Sequence, residues 1–151
     1  MQEIKKLLND AKLRIDTADH LTFVTYPQVR EVKMLYGITE HLNNAVNSLI
    51  SAVVKYEMMY KRLPFIKNKE LELFKNKCAT KYGLNYNDLR VIDEIINIVK
   101  FRKNAPVEFV RKDKFVICTE NYKMKVINLH MVKDYLQMIK RFSNNVSRVI
   151  K

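Results

Sequence analysis

Apolar residues recur at steps of three and four along most of the chain, the spacing that places them on one face of an α-helix. The strongest run lies in a predicted second helix, from about Gln28 to Leu63, where the steps do not slip. Its members are Val32, Leu35, Thr39, Leu42, Val46, Leu49, Val53, Tyr56, Tyr60 and Leu63. Further apolar residues widen this face, which favours a bundle with several neighbouring helices over a two-stranded coiled coil.

The same spacing predicts a first helix from about Ile4 to Leu21. The residues that follow it are β-branched and aromatic, and a proline disfavours helical backbone in the residue before it. We therefore expect the first helix to end by Tyr26 and Pro27 to lie in the first turn of the second helix.

Two shorter helices are predicted in the middle of the chain. A connection over 65–68 leads into the third helix, with Asn68 as its candidate N-cap. Gly83 indicates a helix stop in which glycine adopts the left-handed conformation. Asn85 or Asn87 then caps a fourth helix, from about residue 88 to residue 103.

The pattern changes after Pro106, where polar segments separate three short runs rich in β-branched and aromatic residues. These runs predict an antiparallel hairpin or three-stranded meander at about 107–127. In the last run Met124 and Val126 alternate with lysines, which predicts that these two side chains face the core. Asn128 is the candidate N-cap of a fifth helix.

These elements predict a mainly α fold. It is a five-helix bundle with a long second helix and a small antiparallel β insertion before the last helix. With 151 residues, of which 48% are hydrophobic, the chain can bury one core. We find no internal repeat and no long flexible linker, so we expect a single domain over 1–151. Only two glycines and three prolines are present, which disfavours a turn-rich β-sandwich.

The net charge of +12 is unevenly distributed, since residues 1–99 carry +3 and residues 100–151 carry +9. Clustered cations attract a polyanion, and each phosphate contact releases condensed counterions. We therefore predict that the basic C-terminal third binds RNA or DNA, with Phe109 and Tyr122 available to stack on bases. The predicted site residues are Lys100, Arg102, Lys103, Arg111, Lys112, Lys114, Lys123, Lys125, Lys140 and Arg141.

The sequence has no recognisable catalytic or metal-binding motif, and two glycines do not suffice for a phosphate-binding loop. We therefore predict no catalytic residue, no metal and no cofactor. Asp16, Asp19 and His20 share a helical face, but such a cluster is more often solvated than catalytic. Cys78 and Cys118 are far apart and outside any Cys-x-x-Cys pair, so we expect two free thiols.

No apolar stretch is long enough to span a membrane, and no long apolar segment follows the N-terminal residues. The absence of Trp and of a helix with one basic and one apolar face also argues against binding to a membrane surface. We expect a soluble, cytoplasmic protein with no membrane partner.

The predicted helical hairpin, with its wide apolar second helix around Asn44–Val54, resembles the small bundles of the HEPN group, the higher eukaryote and prokaryote nucleotide-binding domain. The resemblance covers about the first 100 residues. It implies RNA cleavage or pairing with a nucleotidyltransferase. The group's catalytic signature is an Arg followed after four to six residues by a His, normally on a late helix. The matching pair here is Arg14 and His20, on the first helix.

The third helix, the Gly83 turn, the fourth helix and the basic hairpin also resemble a winged-helix module. That resemblance implies a recognition helix over 85–103 and a wing tip at 111–114. The phosphate contacts on the helix would then come from Arg90, Lys100, Arg102 and Lys103. The fourth helix is strongly apolar, which leaves few of its side chains to contact base edges.

Our leading hypothesis from the sequence is a non-enzymatic nucleic-acid-associated or adaptor protein that uses its basic C-terminal third. The first alternative is a structural or oligomerising interaction bundle without nucleic acid, in which two copies pair through the helix at 28–63. The second alternative is a HEPN-like ribonuclease.

Overall fold

The computed structural model describes residues 1–60, 62–64 and 68–150 of the chain, so most of the predicted connection at 65–68 lies outside it. The helices are α1 (Gln2–His20), α2 (Met34–Met59), α3 (Glu70–Leu73, continued as a π-helical turn at Phe74–Cys78), α4 (Tyr86–Lys103) and α5 (Leu129–Val149). Between α4 and α5 lie the strands β1 (Val107–Arg111), β2 (Lys114–Cys118) and β3 (Met124–Ile127). The predicted mainly α fold is confirmed.

The central element is α2, whose predicted apolar positions from Leu35 to Val53 are buried against the protein's other helices, whereas the predicted position Tyr60, just after its end, is 51% exposed. Leu35, Leu42 and Val53 are all fully buried, and α2 contacts α1, α3, α4 and α5. This apolar face is therefore used within one copy of the chain. The expected homo-oligomer through the helix at 28–63 stays a prediction, and the buried face does not provide its interface.

The boundary between the first two helices differs from the prediction. α1 does not end by Tyr26 but continues through a π-helical turn at Leu21–Thr25 into a last α-turn at Tyr26–Val29. Pro27 lacks an N–H donor, and it lies in the first turn after the π-helical segment, where the helical hydrogen-bond pattern already changes. Helix α2 then begins at Met34 rather than near residue 28.

The helix caps follow the predictions with one exception. The Asn85 side chain accepts a hydrogen bond from the backbone N–H of Asp88 at 2.9 Å, and Asn128 caps α5 in the same way. Gly83 has the expected left-handed backbone, with φ of 77°. Asn68 is not a cap, because Lys69 occupies that position and no side chain caps α3.

The three strands form an antiparallel meander in the order β1-β2-β3, with β2 in the middle. On the inner face of the sheet, Phe115, Ile117 and Ile127 join the bundle's core. The prediction that Met124 and Val126 face the core is wrong, because both are exposed. Both faces of β3 carry apolar residues. Ile127 pairs with Phe115 and is buried on the inner face, and because side chains alternate along a strand, Met124 and Val126 lie on the outer face.

Candidate nucleic-acid interface

Three of the ten predicted site residues are already paired with carboxylates. Arg141 donates to both oxygens of the Asp88 carboxylate, at 2.6 and 3.1 Å. Lys140 forms an ion pair with Asp19, and Arg102 forms one with Glu108. These contacts join α5 to α4, α5 to α1 and α4 to β1, so the three cations stabilise the fold.

The other seven have no carboxylate partner within the described part of the chain, but they do not form one patch. Lys100 and Lys103 are exposed near the end of α4, and Lys123 lies at the β2–β3 turn. Lys125 is half-buried opposite Ile117 on the inner side of the sheet. The remaining three, Arg111, Lys112 and Lys114, surround the β1–β2 turn.

The β1–β2 turn brings these three cations together with two from distant segments. A cavity of about 550 Å³ between the end of α1, this turn and the start of α5 is lined by Arg30, Lys112 and Lys133. A second cavity of about 270 Å³ is lined by Arg111, Lys112 and Lys114, so Lys112 borders both. We call this set of five cations, Arg30, Arg111, Lys112, Lys114 and Lys133, the hairpin surface.

None of the five forms an ion pair with a carboxylate among residues 1–60, 62–64 and 68–150. Asp113 is the single acidic residue that lines either cavity. The ammonium of Lys133 lies 5.5 Å from the centre of the exposed Phe23 ring, a cation–π contact. The hairpin surface therefore has five positive charges against the one negative charge of Asp113.

Two members of the hairpin surface have left-handed backbone, which residues other than Gly, Asn and Asp seldom adopt. Arg30, with φ of 53°, follows the last turn of α1, and its N–H binds the carbonyl of Tyr26 at 2.8 Å. Lys112, with φ of 57°, occupies the first position of the β1–β2 turn. The backbone thus holds cationic side chains at two turns where smaller residues are usual.

An apolar area lies beside these cations on the side of the sheet that the bundle does not cover. Strand register aligns Phe109, Val116 and Val126 across the sheet, and Met124 lies on the same side. Val116 is only 4% exposed, whereas Phe109 is 40% exposed. We call these four residues the outer apolar face. Arg111 and Lys114 pair across β1 and β2 at one end of it.

Another cavity, of about 570 Å³, lies between α1 and α2. Its lining is mostly polar: Asp10, Leu13, Arg14, Thr17, His41, Asn44, Asn47 and Ser48. Nη1 of Arg14 lies 3.0 Å from Nδ1 of His41. Because a guanidinium can only donate, Nδ1 accepts this hydrogen bond, and the proton of the neutral ring is on Nε2. Burial and the Arg14 charge lower the pKa of His41, so its ring is neutral at neutral pH.

The histidine that contacts Arg14 is His41 and not His20, the residue that matches the HEPN signature in the sequence. Arg14 does not contact His20, whose Nδ1 lies 3.5 Å from the Thr25 hydroxyl. The sequence did not reveal the Arg14–His41 pair, because the two residues are 27 positions apart. The polar residues that line this cavity recur at helical spacing within each helix, and this spacing could have indicated a polar face on each. Pairing residues of the two faces requires the register of α1 against α2.

A contrasting cluster surrounds Glu57, a carboxylate that is only 3% exposed. Lys81 and the Tyr82 hydroxyl donate to it at 2.7 and 2.9 Å, and Arg62 donates to its other oxygen. Burial alone would raise the pKa of Glu57, but these three hydrogen bonds outweigh it and hold the pKa below its usual range. We call these four residues the Glu57 cluster.

The two cysteines are free, as expected. Burial raises the pKa of the Cys78 thiol to about 11, so this thiol is protonated at neutral pH. Across the described ranges no group of three or more His, Cys, Asp and Glu side chains is arranged to bind a metal ion. Among the helices that the structure describes, none is long and apolar enough to cross a membrane.

Comparison of the chain with protein-family models, curated proteins and solved structures found no match. The resemblances to the HEPN group and to winged-helix modules therefore stay predictions. On α4, the three buried isoleucines Ile92, Ile95 and Ile98 belong to the core. Arg90, Lys100 and Lys103 remain as its exposed cations.

Proposed function

We propose that this protein is a non-enzymatic nucleic-acid-associated or adaptor protein that binds nucleic acid through the hairpin surface. One observation carries the proposal: five cations from three separate segments line two adjoining cavities without a carboxylate partner in the described chain. An excess of Lys and Arg along one stretch of sequence is common in proteins whose charged side chains are simply solvated. Their convergence in space is the additional feature that favours a polyanion as the ligand.

The paired cations support the same assignment by contrast. Arg102, Lys140 and Arg141 form ion pairs with carboxylates, so a phosphate would have to compete for them. Among the described residues that line the two cavities of the hairpin surface, Asp113 is the one acid. An incoming phosphate therefore gains its attraction there without first breaking an ion pair.

The test is fluorescence anisotropy of labelled RNA and DNA, titrated with the full chain across a series of salt concentrations. We expect binding near physiological salt, with the logarithm of the affinity falling linearly as the logarithm of salt rises. The slope reports the number of phosphates in contact. Absence of binding at low salt would overturn the proposal.

The site is tested by the triple variant Arg111→Gln, Lys112→Gln, Lys114→Gln. It should reduce the magnitude of the salt slope by about 0.9 per lost contact on duplex DNA, or about 0.7 on single strands. The matched control is Lys5→Gln, Lys6→Gln, Lys12→Gln, which removes the same charge from α1. These lysines lie roughly 27–38 Å from Arg30 along the helix, at 1.5 Å per residue. Equal losses in both variants would show that net charge, and not the hairpin surface, determines binding.

If neither nucleic acid binds, the structural or oligomerising bundle becomes the leading hypothesis. Its test is the solution mass of the protein over a range of concentrations. A rising mass would support self-association, and a constant monomer mass at high concentration would reject it.

A second candidate function is RNA cleavage in the polar cavity between α1 and α2, favoured by the contact of Arg14 with His41. Cleavage requires Arg14 to release Nδ1 of His41 and bind the phosphodiester instead, so that Nδ1 takes the proton of the attacking 2′-hydroxyl while water protonates the leaving oxygen. Incubation of labelled RNA tests it. Cleavage should be lost in His41→Ala and kept in His20→Ala, and no cleavage by the intact protein would reject it.

A further inference from the structure

The outer apolar face and the hairpin surface are parts of one continuous surface. Phe109, Val116, Val126 and Met124 line the same cavity as Arg111 and Lys114. Since alternate residues of a strand share a face, Arg111 lies two residues and about 7 Å beyond Phe109 on the same face. The distance between Phe109 and Arg111 is thus roughly the distance between a base and the phosphate of the same nucleotide.

We propose that the outer apolar face binds the bases of single-stranded nucleic acid, so that this protein prefers single strands to duplexes. This inference rests on the proposed function and specifies the ligand of the same site. Bases would pack on Phe109 and its aliphatic neighbours, while Arg111 and Lys114 contact the phosphates of the same strand.

The preference follows from what each form of nucleic acid exposes. In a duplex the faces of the bases are stacked inside, and only their edges and the charged backbone reach the surface. A duplex therefore offers no apolar surface on which an apolar sheet face could pack. An unstacked strand offers planar, weakly polar base faces that stack on aromatic side chains.

The size and composition of the cavity favour a base over a segment of another protein. Its volume of about 270 Å³ lies just below the range of ordinary ligand pockets. An amphipathic helix is about 10 Å wide and needs a longer groove. Phe109, on the edge strand β1, supplies an exposed ring to the apolar side of the cavity, which cations also line.

The test compares a labelled 20-nucleotide oligo-dT with a labelled 20-base-pair duplex, each titrated with the full chain. We expect tighter binding of the single strand. Phe109→Ala should weaken single-strand binding about 5- to 150-fold, the range for loss of one stacked base, and leave the duplex affinity unchanged. The matched control is Tyr86→Ala, which removes an exposed aromatic from the start of α4 and should change neither affinity.

A second variant keeps the test decisive if Phe109→Ala unfolds. The chain contains no Trp, so Phe109→Trp places a single tryptophan on the outer apolar face, whose emission is distinct from that of the tyrosines. Stacked bases should quench its emission at the concentrations at which anisotropy reports binding, whereas Tyr86→Trp should show no quenching.

The outcomes separate this inference from the function it rests on. Salt-dependent binding with equal affinity for both forms, and with unquenched Phe109→Trp, would overturn the single-strand preference and leave the proposed function intact. The outer apolar face would then be assigned to a protein partner. If neither the single strand nor the duplex binds at low salt, the proposed function itself is overturned.

Discussion

The Glu57 cluster and the hairpin surface use the same cationic residue types in opposite arrangements. In the first, Arg62 and Lys81 converge on one buried carboxylate. In the second, five cations converge on two cavities with no carboxylate partner in the described chain. The comparison shows that the number of cations in a segment does not determine how many of them are paired with carboxylates. What matters is whether the fold also brings a carboxylate to them.

The difference also separates stability from binding. Arg62 and Lys81 compensate a charge that the fold has removed from water, so the Glu57 cluster affects the free energy of unfolding. The cations of the hairpin surface are mostly exposed to water and repel one another, so they add little to that free energy. Substitutions in one region should change stability, and substitutions in the other should change affinity.

The largest effect is expected for Glu57→Ala. It leaves the buried Tyr82 hydroxyl without its acceptor and opens a small cavity, while Arg62 and Lys81 can still reach water. We expect unfolding to become about 3 kcal/mol easier, or a melting temperature lower by roughly 6–12 °C. Thermal denaturation followed by circular dichroism measures it.

The matched control is Glu120→Ala, an exposed carboxylate at the β2–β3 turn, which should change stability by less than about 0.5 kcal/mol. Nucleic-acid affinity of folded Glu57→Ala should equal that of the parent. A loss of affinity in the folded variant would mean that the two regions are not independent.

A smaller effect is expected on acidification. The folded pKa values of Glu57 and Asp88 lie below their unfolded values of 4.5 and 3.8, because hydrogen bonds from cations outweigh burial. Their stabilisation is therefore complete above about pH 4.5 and is lost as pH falls through the folded pKa values. His41, whose pKa is lowered mainly by burial, adds a weaker decline that begins near pH 6.5.

Melting temperatures measured from pH 7 to pH 3 test this dependence. The double variant Glu57→Gln, Asp88→Asn lacks both titrations, so its main decline below pH 4.5 should be shallower than that of the parent. An equally steep decline in the double variant would assign acid sensitivity to other carboxylates.

The next prediction compares the effect on stability of substituting a paired cation, Arg141, with that of substituting a cation of the hairpin surface, Lys114. Arg141→Gln removes the bidentate partner of Asp88, which is 5% exposed, and should cost about 1–2 kcal/mol, since Arg141 itself is half-exposed. Lys114→Gln should change stability by less than about 0.5 kcal/mol. Urea denaturation measures both.

The affinities should rank in the reverse order. Lys114→Gln should weaken nucleic-acid binding and flatten the salt slope, whereas Arg141→Gln should leave both close to the parent values. If Arg141→Gln weakens binding more, the ligand reaches α5 and the division between paired and unpaired cations fails.

The sequence predicted the elements of this fold better than the arrangement of its site. Apolar spacing identified α2 as the central helix, and Asn85, Asn128 and Gly83 marked helix ends, because these signals are local. The pairing of Arg141 with Asp88 spans 53 residues, and nothing local distinguishes Arg141 from Lys112. Arg30 and Lys133 were absent from the predicted site for the same reason, since only the tertiary fold brings them to the β1–β2 turn.

β3 shows a second limit of the local pattern. Both of its faces carry apolar side chains, so alternation alone does not determine which face is buried. Pairing of Ile127 with the buried Phe115 decides it, and this pairing depends on strand register. The outer apolar face could therefore not be located before the register was known.

The smallest effect is expected at Lys112, where stability and binding should change in opposite directions. Asn tolerates the left-handed backbone of this position better than Lys does, so Lys112→Asn should stabilise the protein by about 0.5–1 kcal/mol. The same substitution removes one cation from the hairpin surface and should weaken binding. Lys112→Gln is the control, because it removes the same charge without relieving the backbone. Equal stability of the two variants would show that the turn is unstrained, and unchanged affinity in both would exclude Lys112 from the interface.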